Sequence, residues 1–459
     1  MTRDAAIAAA EDYLTSGMFE ADLARRVAIP TESQVPDGLP HTRRYLELEM
    51  IPAFEAMGFS WTIYENPNPG VGPVLLATRD EGADLTVLGY GHGDVILGQA
   101  DQWTKGAGPW ETARDGERIY GRGTADNKAQ HTINMAALRI VLETRGRLGF
   151  NAKFIIEMAE ENGSQGLGDI IAVNKEAFAA DVFIASDGPR VRPDRPTVSL
   201  GARGGENFDL VCDLREGGHH SGNWGGALAD PAMILSHAIA SICTPTGEIL
   251  IPEWKPPTMS NAVRAALADV ELSPGEDGPE IDPDWGEPGM TTAEKVYGWN
   301  SFAVLAMKSG NADAPVNAIQ PMARAHCQLR YIAGTDVDDI IPALRRHLQA
   351  HGFDRVQVDP PTGRNFAGFL ASRTEPDDPW AIRVQQSIEA TIGARPAVIP
   401  QMGGSICNDL FTDLLGLPAI WIPHSYSGCS QHAPDEHILL PVTQSALGIM
   451  AGVYWDLGA

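Results

Sequence analysis

Apolar positions along this chain follow two rhythms. Short unbroken apolar runs recur in the first half and near the end: VLLA at 74–77, LTVLGY at 85–90, KFIIEM at 153–158, DVFIAS at 181–186 and PAIWIP at 418–423. Runs of this length, rich in β-branched residues and bounded by Gly, Asp or Pro, predict strands buried on both faces. Between them lie stretches with helical spacing. AAIAAAEDYL (5–14), MFEADLARRVA (18–28) and TRRYLELEMIPAFEAMG (42–58) predict helices, the last stopping at a Gly suited to a C-cap. Lys128 to Thr144 places Ile133, Ala137, Leu138, Val141 and Leu142 on one helical face. GLGDIIAVNKEAF and WAIRVQQSIEATIG read as helices too. Strands alternating with helices predict an α/β fold with a mixed, mostly parallel sheet flanked by helices.

The rhythm changes near Gly204. ENFDLVCDL alternates, HHSGNWGG is a polar turn, and PAMILSHAIASI is a helix. A Pro-, Gly- and acid-rich stretch, 252–290, reads as an exposed excursion. Then come SFAVLAMKSG and ARAHCQLRYIAG as strands, VDDIIPALRRHLQAHG as a helix and RVQVDP as a strand. This order predicts a small α+β sandwich. The α/β pattern resumes near Thr374. The expectation is a discontinuous catalytic domain, 1–203 and 374–459, interrupted by a lid domain, 204–373.

A length of 459 residues already favours two domains. With 34 Lys and Arg against 60 Asp and Glu, the net charge is -26. Such a surface repels phosphate backbones, so nucleic acid is excluded as a partner. No apolar run is long enough for a membrane span. The beginning, MTRDAAIAAAEDYL, lacks the basic-then-apolar design of a secretory signal. Five scattered Cys (212, 243, 327, 407 and 429) suit free thiols in a reducing cytoplasm.

The chemistry sits where strands end. Ligands in open α/β sheets bind beyond the carboxyl ends of the strands. Here LTVLGY runs into GHGD, with His92 and Asp94, and KFIIEMA runs into Glu160 and Glu161. DVFIAS runs into Asp187, and PAIWIPHS leads to His432 in SGCSQHAPDE. Asp126 lies in GRGTADNK at the mouth of a helix. Taken singly, Asp126 reads equally as a helix cap, Asp187 as a turn residue and the Glu pair as solvated acids. Together, His and carboxylate at one rim suit a pair of first-row divalent ions, with a spare carboxylate for proton transfer. That is the equipment of hydrolysis.

The ordered set GHGD, GRGTADNK, EMAEENGS, ASDG, GGHHSGNWGG, QLRY, GGSI and HAPDE resembles the co-catalytic zinc metallopeptidase family. This family includes carboxypeptidase G, aminoacylase, succinyl-diaminopimelate desuccinylase and carnosinase/cytosolic dipeptidase. The likeness spans nearly the whole chain and is strongest to the dipeptidase branch. It implies that Asp126 bridges two metals, with a cis peptide to Asn127, that His92 and Asp187 bind one ion, and that Glu161 and His432 bind the other. It makes Glu160 the general base and acid and gives Asp94 the task of fixing His92. His220 would stabilise the oxyanion from the other subunit of a homodimer. Arg330 would clamp a substrate carboxylate, with Asn317, Gly404 and Ser405 lining the substrate site. The implied cofactors are two divalent ions, zinc first, with cobalt or manganese as substitutes. The implied reaction is hydrolysis of the amide bond of a small dipeptide or N-acyl amino acid through metal-activated water.

Three positions depart from the family pattern: Ala129 in place of Gly, Asn127 in place of the dipeptidase Asp, and Cys407 in place of Pro. Cys429, three residues before His432, is a further soft donor. Two other functions use the same residues: a non-peptide amidohydrolase or deaminase, and a non-catalytic metal-binding scaffold. The intact Glu160 argues against the scaffold, which has no use for a base.

Overall fold

The computed structural model describes residues 2–272, 279–360 and 369–459. Residues 273–278 of the expected 252–290 excursion, and 361–368 near the end of the expected lid, lie outside it. Its centre is an eight-stranded sheet. In spatial order the strands are Ser60–Tyr64, Val74–Arg79, Asn151–Glu157, Thr86–His92, Val182–Ala185, Ala419–Trp421, Thr197–Ser199 and Ala397–Ile399. The four central strands, from Asn151–Glu157 to Ala419–Trp421, run parallel. Two antiparallel strands, Ser60–Tyr64 and Val74–Arg79, close one edge. The apolar runs are unbroken because both faces are covered. Val87, Ala152, Phe154 and Ile156 point into one core, beside the helices Arg3–Thr15, Lys128–Arg145, Pro379–Ile392 and Leu440–Leu457. Leu88, Tyr90, Ile155, Phe183 and Trp421 point into the other. Alternation of side chains across a strand makes this division. Truncating a ring such as the fully buried Phe154 would cost about 3–5 kcal/mol.

Lys128–Arg145 is the helix that matters for the site. Nearly all of its first fourteen residues are buried, and it ends at Gly146, whose φ of 86° suits a left-handed cap. The predicted helix at 42–58 is present from Leu39 to Ala56 but contains a π turn at Leu46–Met50. Pro52 explains it: proline has no N–H to give, and its ring crowds the preceding turn.

Beyond Ala202 the chain builds a four-stranded antiparallel sheet in the order Ser301–Lys308, Met322–Tyr331, Gly204–Asp213, Gln357–Asp359. Helices Pro231–Ile242 and Ile340–Ala350 cover one face, giving this unit its own core around Phe208, Trp254 and Leu329. Ser301–Lys308 is an edge strand and is exposed along most of its length. After this excursion the chain returns to the large sheet through Ala397–Ile399 and Ala419–Trp421.

One expectation needs correction. The 252–290 stretch is not simply an exposed excursion. Trp254 is buried in the lid core, and Met259, Val263, Leu267 and Val270 are buried in the second core of the large sheet. Helices Asn261–Leu267 and Thr292–Tyr297 therefore lean on the large sheet, with Ala293 and Tyr297 in the same core. A high Pro and Gly content hid a regular apolar spacing in residues 259–270.

Candidate active site

The carboxyl ends of the parallel strands deliver the site. His92 is the last residue of Thr86–His92. Asn151–Glu157 continues into a short 3-10 turn, Glu160–Asn162, carrying Glu160 and Glu161. Asp187 follows Val182–Ala185, and Asp126 precedes the buried helix. His432 comes from the loop after Ala419–Trp421, with a φ of 61°. Asp94 binds two of these ends together. Its Oδ1 lies 3.4 Å from His92 Nδ1, and its two oxygens accept the N–H groups of Glu160 and Glu161 at 3.2 and 3.1 Å. The Asp126–Asn127 peptide is cis.

Two groups of metal-ligating atoms result, each held within 4.8 Å: His92, Asp126 and Asp187, and Asp126, Glu161 and His432. Asp126 belongs to both. Its Oδ1 faces His92 Nε2 at 2.9 Å and its Oδ2 faces His432 Nε2 at 3.0 Å. His92 lies 3.7 Å from Asp187, and His432 lies 3.1 Å from Glu161. One carboxylate shared by two groups of nitrogen and oxygen donors is what a dinuclear site requires.

Electrostatics point the same way. Burial raises the carboxyl pKa values of Glu160, Glu161 and Asp187, and their mutual repulsion with Asp126 raises them further, to about 7 for Glu161 and about 6 for Asp187. Burial would lower the pKa of His92, but Asp126 and Asp94 outweigh it and hold it well above the ordinary imidazole value. The Asp126 carboxyl is held far below its usual range, because hydrogen bonds from the two His overcome its burial. Acids crowded at one rim in a dry setting call for cations, so the donor set fits a pair of divalent ions.

Glu436 and Gln431 support the shared Asp126 although no motif singled them out. Glu436 is fully buried, and its Oε1 accepts the backbone N–H groups of Gly123, Ala125 and Asp126 at 3.0, 2.9 and 3.0 Å. Its other oxygen takes Arg122 at 2.7 Å. This carboxylate holds the loop that carries the shared Asp126. The HAPDE run was visible, but only the folded chain shows what its acid grips. Gln431 also donates to Asp126 Oδ2, at 2.6 Å. Asn127 donates to Ser186 O at 2.8 Å, which ties the Asp126 loop to the strand before Asp187. Cys429 is not a donor in either metal-ligating group. It is buried beside Ala125 and Tyr426, and burial pushes its thiol up to about 12.

A cleft of about 680 Å³ opens over these groups and reaches the lid. Arg330, Gly404 and Ser405 line it together, with Arg330 Nη1 donating to Ser405 Oγ at 2.6 Å. His220 and Asn317 are not among its lining residues. Both are exposed on the lid, where His219–His220 pairs with Ala318–Ile319 and Ser221 N donates to Asn317 O.

Known proteins resemble this chain over most of its length. A cysteinylglycine-S-conjugate dipeptidase of Corynebacterium striatum is 30% identical over 77% of this chain and 76% of its own. A Beta-Ala-His dipeptidase of Homo sapiens is 32% identical over 80% of this chain and 74% of its own. Among solved structures, the M20 family metallo-carboxypeptidase Sso-CP2 of Sulfolobus solfataricus superposes with a TM-score of 0.79 at 21% identity, covering 96% of this chain and 99% of that one, and so shares its fold. The model of peptidase family M20/M25/M40 matches residues 88–455, and with the dipeptidase relatives it shows that this chain is a member of that family.

Proposed function

We propose that this protein is a dinuclear metal-dependent dipeptidase, with N-acyl amino acids as the neighbouring substrate class. The observation that carries the reading is the shared Asp126, which faces both His92 and His432 from a cleft that also holds Glu160. His92 and Asp187 would hold one ion and Glu161 and His432 the other, with Asp126 belonging to both sets. Zinc is the ion we assign, with cobalt or manganese as substitutes. When bound, such ions polarise the scissile carbonyl and acidify the attacking water. Glu160, in the same cleft, would accept a proton from the attacking water and return it to the leaving nitrogen. Asp94 keeps His92 and the Glu160 turn in register. Arg330, backed by Ser405, holds the substrate carboxylate through charge-assisted hydrogen bonds.

We further take residues 1–203 with 374–459 as the catalytic body, 204–373 as the lid, and a homodimer as the working form. Support for the homodimer comes from His220, which stands exposed outside the cleft of its own chain. The edge strand Ser301–Lys308 offers Val304, Leu305 and Met307 at 40%, 54% and 48% exposure, an apolar edge of the kind two copies can pair. A reducing cytoplasm rests on the five free cysteines. No helix among the described residues is long and apolar enough to cross a membrane.

The test is a mass-spectrometric turnover screen. Zinc-loaded and metal-stripped protein meet a panel of dipeptides, N-acyl amino acids and aryl amides. Metal-dependent cleavage of dipeptides is expected. Ammonia release from a non-peptide amine would move the assignment to an amidohydrolase, and silence with both metals bound would move it to a scaffold.

A further inference from the structure

The cleft has three zones, and the stretch 402–406 sets their order. Met402 abuts the turn after Asp187: a Cβ built on Gly188 would lie 2.9 Å from Met402 Sδ. Gly403 comes next, and there a Cβ would lie 3.3 Å from Val296 Cγ1. Its carbonyl accepts Arg203 Nε and Nη2 at 3.0 and 2.9 Å, while Arg203 Nη1 reaches Ser301 Oγ at 3.2 Å. Ser405 then meets Arg330. Metal ligands thus stand at one end of this wall and a guanidinium at the other. Met402, Ile406 and Val296, with the ring of Tyr297, give the cleft an apolar patch, while the polar Asn207 and Gln328 also line it. Val296 and Tyr297 do not come from the catalytic body. They end the helix Thr292–Tyr297, which a capping box at Thr291 and Glu294 starts and the second core anchors.

We infer that this apolar wall is a specificity pocket for the carboxyl-terminal residue of the substrate, and that it selects dipeptides ending in a bulky apolar residue. The inference rests on the dipeptidase reading. A dipeptide whose scissile carbonyl sits at the metal ligands and whose carboxylate sits at Arg330 has one residue between the two. The side chain of that residue meets Val296, Tyr297, Met402 and Ile406. A glycine there leaves the wall in contact with water, whereas leucine or phenylalanine displaces that water and buries apolar surface. A polar side chain loses hydration against Val296, Met402 and Ile406, which offer it no hydrogen bond.

The experiment compares kcat/KM of the zinc-loaded protein on Ala-Leu, Ala-Phe and Ala-Gly, and on Leu-Ala against Gly-Ala. We expect Ala-Leu and Ala-Phe to exceed Ala-Gly by about tenfold or more. The first-residue pair should differ less than the second-residue pair. Val296→Asn should cut the Ala-Leu to Ala-Gly ratio at least fivefold, chiefly through KM on Ala-Leu. Val296→Ile, which keeps the wall apolar, should keep the preference for apolar endings. Equal or better turnover of Ala-Gly, or a preference that follows the first residue, overturns the pocket and leaves the dipeptidase reading standing. Failure to cleave any dipeptide overturns the dipeptidase reading and the pocket with it. The wild-type ratios decide the matter even if the Val296 variants misfold.

Discussion

The rim of the large sheet and the His219–His220 ribbon of the lid were both marked by short polar motifs, yet the fold treats them differently. At the rim the functional residues are tied to one another within their own chain. His92 is held by Asp94 and Asp126, the Glu160 turn by Asp94, and the Asp126 loop by three backbone bonds to Glu436. On the lid, His220 lies on a two-residue strand, exposed, with its ring accepting the N–H of nearby Gly222. The rim is organised by the chain that carries it. The lid motif gains a place in catalysis only if a second copy brings it to a cleft.

That contrast can be broken at its strongest point first. Glu160→Gln should lower kcat by about 10²–10⁴-fold. Metal content, read by elemental analysis, should stay unchanged. Unaltered turnover would remove Glu160 from the chemistry. His220→Ala should cost about 10²–10³-fold, the usual loss for an oxyanion donor. Mixing inactive Glu160→Gln and His220→Ala proteins and letting subunits exchange should then restore activity. In the mixed dimer one site has an intact Glu160 and receives an intact His220 from its neighbour. Absence of any recovery, with exchange confirmed by native mass spectrometry, would place His220 outside the neighbour's cleft.

Glu436→Gln is expected to weaken metal affinity about 10–100-fold, as for other groups that orient ligands. Its amide can still accept from the Asp126 loop but no longer offers a charge to Arg122. Competition with a chelator measures the effect, and an affinity equal to wild type would make Glu436 merely a folding residue. Leu305→Asp leaves the metal ligands of each chain in place but takes away the neighbour's His220, so its cost in turnover should match that of His220→Ala. It should convert dimer to monomer in analytical ultracentrifugation while the fold of each chain persists. An unshifted sedimentation coefficient would put the interface elsewhere.

Much of this was legible without coordinates. Unbroken apolar runs ending in acids or imidazoles marked parallel strands and the rim beyond them, because that pattern depends only on a period of two and burial on both faces. The ends of Thr86–His92, Asn151–Glu157 and Val182–Ala185 follow from it. The 252–290 stretch shows where the reading failed. Its Pro, Gly and acids suggested solvent, yet Met259, Val263 and Leu267 reach the core of the large sheet. Composition averages over a segment, whereas burial is decided by a few side chains at helical spacing.

By itself, then, the sequence determined the two architectures, the strand ends and the residue types that a dinuclear site needs, since those are set by local periodicity and by side-chain chemistry. Only the tertiary structure decided which oxygen of Asp126 faces which histidine, that Glu436 grips the loop beneath it, and that Val296 and Tyr297 of the lid segment complete the cleft. These depend on distances between parts of the chain far apart in sequence, and such distances arise only when the packed cores fix one element against another.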